Sequence, residues 1–237
     1  MTVFLASIMM VSLTTQCPAD RWSDADPFEK SNRQTHEFNK GFDRGFYRPA
    51  SRAYGTIVPS PIDVFIANFS RNLDLPGRAV NYLLQADLTA TALVVGRFAT
   101  NTIIGFGGIG DPATDLGFPD EQTDFGVTLH TWGVDRGNYL ELPFLGPRTV
   151  RQATGMVVDV FLDPVSQVLP ARYDRAVFTV SFLDLLSRRQ RSGDFLDQML
   201  HESEDSYVAT RSAYFDNRDR VLNRGLLEDD LEDPYAE

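Results

Sequence analysis

Three histidines, one cysteine and one glycine-rich run are the residues of this chain whose types could support chemistry. His36, His130 and His201 are far apart, and none sits in an H-E-x-x-H or Cys/His spacing that would hold zinc. His130 could act as a general base with a distant Asp and Ser, but no spacing selects such a trio, and a hydrogen-bonded structural histidine is the plainer reading. No G-x-S-x-G elbow and no G-x-x-x-x-G-K-[ST] loop is present. Gly105-Phe-Gly-Gly-Ile-Gly110 matches G-x-G-x-x-G, but a dinucleotide site needs a strand before it and a helix opening from it. Here a helical pattern precedes the motif and Asp111-Pro112 follows at once. With one cysteine, an internal disulfide framework is excluded. The reading is a protein that moves or holds something, with no catalytic residues, metal or cofactor.

The elements that would position a ligand are helices. Nine of the 17 glycines lie between Gly105 and Gly146, interleaved with Phe106, Phe118, Phe125, Trp132, Tyr139 and Phe144. Tight bends together with large apolar side chains suggest backbone that shows apolar surface to lipid. Leu88 to Ile104 is a nearly uncharged helix with Asp87 as its cap, and Arg97 and Asn101 form one polar stripe on it. Apolar almost all round, it is either core or membrane-embedded, and its 17 residues span only about 25 Å. Arg97 and Asn101 then face a wet channel or a neighbouring helix.

Asp26-Pro-Phe-Glu29 reads as a helix start, with Asp26 as cap and Glu29 completing a capping box. Phe38, Phe42 and Phe46 share a face that is expected in the core, the alternative being a lipid-facing stripe. Pro49 is expected to end that helix. Ser60 or Pro61 starts the next, and Pro76 is expected to interrupt it. Thr149–Leu162 and the amphipathic Ala171–Arg191 follow; the bases Arg188, Arg189 and Arg191 suit the helix dipole. The last helical region, Asp194–Leu222, places Tyr207, Arg211, Tyr214 and Arg218 on one face.

Val3–Leu13 is an apolar run of signal-peptide length, and Cys17 stands where a lipoprotein is acylated. Gln16 precedes it where a small residue is usual, so an ordinary cleaved leader is the alternative. The net charge is −11, and six acidic residues after Arg224 account for more than half of it. The remaining −5 argues against nucleic acid and against electrostatic docking on anionic lipid. Three segments result: a leader and linker over 1–25, a helical domain over 26–222, and an acidic tail over 223–237, expected to be disordered.

The ordered segments carry a specific resemblance. Asp26-Pro-Phe-Glu29 with Asn32-Arg33, Arg48-Pro49, Val58-Pro-Ser-Pro61, Asn68-Phe69, Val80-Asn-Tyr-Leu-Leu-Gln85, Arg97-Phe98 and Asn101-Thr-Ile-Ile-Gly105 are followed by Asp124-Phe-Gly126, Trp132-Gly-Val134, Leu142-Pro-Phe144 and the Tyr207/Arg211/Tyr214/Arg218 set. Together they resemble the MlaA (VacJ) family of outer-membrane lipoproteins. The resemblance implies an all-α, ring-like assembly of amphipathic helices in the periplasmic leaflet of the outer membrane, beside a trimeric porin. Such proteins are thought to take mislocalised phospholipid from the outer leaflet through an amphipathic central channel to a periplasmic lipid carrier (MlaC-like), which maintains lipid asymmetry. The resemblance also implies a mobile hairpin loop at the channel, made by Arg97, Asn101, Ile104, Gly105, Phe106, Gly107, Gly108 and Ile109, and lipidation at Cys17. A porin-associated scaffold without lipid passage is the alternative function, and a periplasmic hydrolase with dispersed catalytic groups is a third.

Overall fold

The computed structural model describes Trp22 and residues 24–223. Cys17, the leader and the acidic tail lie outside the described residues. Those described are mainly helical, with one two-stranded hairpin.

α1 (Glu29–Phe42) opens without a side-chain cap. Asp26, expected to cap it, is buried elsewhere: its carboxylate accepts from Asn32 Nδ2 at 2.8 Å, from Arg211 Nη1 at 2.7 Å and from the Tyr207 hydroxyl. A tertiary partner charged and hydrogen-bonded in the interior outcompetes a local cap. The buried residues of α1 are Asn32 and His36. The phenylalanine stripe is not core. Phe38 and Phe46 are exposed, and Phe38 and Phe42 pack edge-on against Phe144 at 5.1 and 5.0 Å.

Pro49 does not end the path. A π-helical turn over Asp43–Tyr47 leads straight into α2 (Arg48–Ile57), where Pro49 sits in the first turn and has no helical N–H to lose. α3 (Ser60–Leu84) starts where expected but runs through Pro76. An interior proline costs about 3 kcal/mol. Leu75 and Tyr82, on either side of it, pack against Val94 of α4 and hold the helix together. α4 (Leu88–Ile103) is capped by Asp87, which accepts from Ala90 N at 2.8 Å.

A short α5 (Pro112–Asp115) and α6 (Phe125–Thr131) lead to a hairpin, β1 (Tyr139–Leu142) with β2 (Gly146–Thr149), in register Tyr139↔Thr149. α7 (Val150–Leu162) follows, capped by Thr149. It crosses α6 at two glycines so closely that a Cβ on Gly155 would lie 2.5 Å from the Gly126 nitrogen. α8 (Pro164–Val168), α9 (Asp174–Arg191), α10 (Gly193–Asp197), a second π-helical turn (Gln198–Glu202) and α11 (Ser206–Leu222) complete the described chain.

The interior is unusual in its polarity. Buried polar and charged side chains outnumber buried apolar ones by about two to one. Among the described residues, buried apolar side chains form two small clusters, Leu75–Tyr82–Val94 and Tyr139–Tyr207–Phe215. Much of the rest is ion pairs: Arg211 on Asp26, Arg97 on Asp111, Arg189 on Asp43 and Asp197, Arg218 on Asp124. The bases ending α9 therefore serve named partners and not only the helix dipole. Large apolar side chains lie outside instead, among them Ile103, Val160, Phe161 and Phe178.

Candidate functional site

α3, α7, α8, α9 and α11, together with residues 122–124, line a cavity of about 550 Å³. Its lining is mixed. Leu73, Leu162, Val165, Val177 and Val221 supply apolar surface; Arg78, Asn81, Asp124, Asp159 and Arg218 supply charge and hydrogen bonds. Neighbouring structure holds each polar group. Arg218 grips both oxygens of Asp124 at 2.8 Å, and Asp124 caps α6 by accepting from Val127 N at 2.8 Å. Burial works against the Asp124 charge, but the Arg218 guanidinium more than offsets it and keeps the carboxyl below its ordinary range. Asp159 accepts from Asn81 Nδ2 at 2.8 Å and from Phe125 N at 3.1 Å; burial dominates there and pushes its carboxyl above the ordinary range. Arg78 reaches Asp120 at 2.9 Å. Among the described residues the lining holds Ser181 but no histidine or cysteine. Such a surface suits a ligand that is part apolar and part charged.

The sequence-selected residues do not line this cavity. Arg97 Nη2 donates to Asp111 at 2.6 and 2.8 Å and to Thr114 at 2.7 Å, while its Nη1 donates to the Phe118 carbonyl. Asn101 donates to Asp111 at 2.9 Å and accepts from Ala113 N at 3.0 Å. Both are buried, so of the two surroundings the sequence left open they have the helix neighbour, α5. Gly105 to Gly110 forms a compact turn. A Cβ on Gly105 would meet the Asn101 carbonyl oxygen at 2.4 Å, and one on Gly108 (φ +93°) would meet Asn72 at 2.5 Å. Glycine there permits close approach, whereas only Gly107, at φ +76°, faces open space. The turn pushes Phe106 out to 85 % exposure, beside exposed Ile104 and Ile109.

Sequence reasoning missed the buried polar joints. At one, His36 Nε2 lies 3.1 Å from Ser206 Oγ, its Nδ1 lies 3.4 Å from Glu141, and the Tyr139 hydroxyl donates to Glu141 at 2.6 Å. The order is that of a nucleophile–base–acid relay. Yet Ser206 and His36 are 5 % and 1 % exposed, and Lys40 also donates to Ser206, so no ester can approach Oγ. The relay ties α1 to α11 and to the hairpin. His130, the histidine weighed as a base, is exposed and faces Arg151 instead of a carboxylate. Asp43, Asp197 and His201 converge as metal ligands would, but Arg189 already donates to both carboxylates. The one sequence signal for these joints was the Tyr207/Arg211/Arg218 face; nothing local pointed to partners as distant as Asp26.

No helix among the described residues is long and apolar enough to cross a membrane. These features define a class: a helical body with an ion-paired interior, many large apolar side chains on its exterior and a cavity of mixed lining. Residues 24–221 match the profile of the MlaA lipoprotein family. The chain is 34 % identical over 222 residues to the Escherichia coli intermembrane phospholipid transport system lipoprotein MlaA, covering 92 % of this chain and 86 % of that one. It is 30 % identical over 233 residues to the protein of the same name from Haemophilus influenzae, covering 96 % and 91 %. A solved chain, described under the structural basis for maintenance of bacterial outer membrane lipid asymmetry, superposes with a TM-score of 0.70 at 31 % identity; the match covers 84 % of this chain and 99 % of that one. The chain belongs to the MlaA lipoprotein family.

Proposed function

We propose that this protein removes mislocalised phospholipid from the outer leaflet of the outer membrane and passes it through the central cavity to a periplasmic carrier. The observation that carries the reading is the inverted polarity around a mixed cavity. Apolar side chains that would ordinarily fill a core stand outside, where acyl chains can cover them, and the interior keeps a cavity whose lining suits both tail and head. The names of the relatives, as phospholipid transport lipoproteins, support the same reading.

In this reading the body lies in the periplasmic leaflet beside a trimeric porin, with acylated Cys17 as its anchor. The tip made by Ile104, Phe106 and Ile109 dips into acyl chains, while Arg97 and Asn101 hold its base through Asp111. Gly105, Gly107 and Gly108 shape the tip. The scheme calls for no metal or cofactor.

The test is phospholipid on the cell surface of a strain lacking the protein, with and without the protein restored. Exposure on loss and clearance on restoration are expected. Equal surface lipid in both strains would sink transport and leave a porin-associated scaffold as the function.

A further inference from the structure

A second cavity, of about 430 Å³, lies between the end of α6, the loop through Gly133, the start of α7 and the end of α11. At its base is Arg151, only 6 % exposed. Its Nη1 donates to the Val134 carbonyl at 2.8 Å and contacts His130 Nδ1 at 3.3 Å. Among the described residues Arg151 has no ion pair, although a cation this buried ordinarily has a carboxylate against it. Burial and the neighbouring Arg218 hold its guanidinium below the ordinary range, so it gains from any anion that arrives. Arg136 lines the same cavity. Its guanidinium stacks 4.7 Å over Phe215 and 5.0 Å over Trp22 and likewise forms no ion pair among the described residues.

His130 adds a donor. Arg151 donates to its Nδ1, which fixes the ring proton on Nε2. Partial desolvation against the cavity wall and the Arg151 charge lower the basicity of the ring. Asp135 and Asp219 share the lining, and they too form no ion pair among the described residues. Opposite charges in one cavity that do not neutralise each other present separate seats for a cation and an anion. Val134, which lines the cavity, and Trp132 and Val150, next in sequence to lining residues, are exposed apolar side chains.

We propose that this cavity binds the zwitterionic head group of an aminophospholipid, with the phosphate on Arg151 and Arg136 and the ammonium on Asp219, the less exposed of the two carboxylates. The acyl chains lie over Trp132 and Val134. The proposal rests on the phospholipid reading and adds which head group is read. A guanidinium matches phosphate oxygens in geometry as well as in charge, and free carboxylates distinguish an amine from a glycerol.

The test is calorimetric titration of the purified full chain with dihexanoylphosphatidylethanolamine, dihexanoylphosphatidylglycerol and inorganic phosphate, each lipid below its micelle concentration. The ethanolamine lipid is expected to bind about tenfold more tightly than the glycerol lipid. Arg151→Gln should weaken both lipids by about tenfold or more, and Asp219→Asn, at a half-exposed position, should erase the preference between them. Equal affinity of the wild type for the two lipids overturns the proposal, and so does an Arg151→Gln chain that binds unchanged. Inorganic phosphate bound as tightly as lipid assigns the cavity to free anion and also overturns it. Should Arg151→Gln lose its helical circular dichroism, Asp219→Asn decides the question alone. Because the titration needs no cell, its failure is distinct from a failure of the surface-lipid experiment.

Discussion

Asp26 and Phe106 sit in regions built on opposite rules. Asp26 is enclosed by Asn32, Tyr207 and Arg211 with almost no solvent contact. Phe106 stands on a glycine turn with its ring exposed. In a water-soluble domain the phenylalanine would be inside and the aspartate outside. The difference teaches where specificity resides. The joints are held by directional bonds between groups far apart in sequence, which leaves large apolar side chains free to stand outside.

The largest effect expected from breaking the comparison is at the joint. Asp26→Ala leaves Arg211 buried without its main partner and should cost about 3–5 kcal/mol in chemical denaturation. A loss below 1 kcal/mol would mean that the interior tolerates unpaired charge. The same logic sets an acid limit. In Asp43, Asp111, Asp124 and Asp197 burial opposes the charge, but guanidinium and hydrogen-bond partners hold each carboxyl below its ordinary value. Groups depressed in the folded state add stability that is fully present above about pH 4 and is lost as pH falls through the folded values. Unfolding followed by circular dichroism should therefore set in below about pH 4.

Gly155→Ala comes next. Its Cβ would be driven against backbone of α6, and the expected loss is about 1–3 kcal/mol, read as a lower midpoint of denaturation. At the tip, Gly107→Ala meets no neighbour but forces a side chain into the left-handed region, for about 1 kcal/mol. Gly108→Ala should cost more, because Asn72 must also move. The smallest effect on folding should come from Phe106→Asp, within about 0.5 kcal/mol. That variant should nonetheless lose affinity for phospholipid vesicles in a flotation assay. Unchanged flotation would remove the tip from the lipid-facing surface and make the two regions less different than they look.

Helices were legible because their starts are local. Asp87 before an apolar run and Ser60-Pro61 after a turn each placed a helix end where it is found. Pro49 and Pro76 misled for the complementary reason. A proline penalty is local, and the π-helical turn before Pro49 and the α4 packing beside Pro76 are not. The apolar stripe of Phe38 and Phe46 was read correctly as a face and wrongly as core, since periodicity shows that a face exists but not what covers it. The 550 Å³ cavity was not legible at all. Its lining comes from five helices, and Asn81, Asp159 and Arg218 have no sequence relation that marks them as neighbours.

The two π-helical turns, Asp43–Tyr47 and Gln198–Glu202, meet where His201 Nε2 lies 3.0 Å from Asp43. A π turn carries one residue more than an α turn, and each residue advances a helix by about 100°. Chain length in these segments is therefore set by the helical phase that keeps their partners in reach. Deleting one residue from Asp43–Tyr47 would swing α2 by about that angle and carry Arg48 away from Asp197. Insertions and deletions should be poorly tolerated in these two short stretches and tolerated freely in the exposed loops between them.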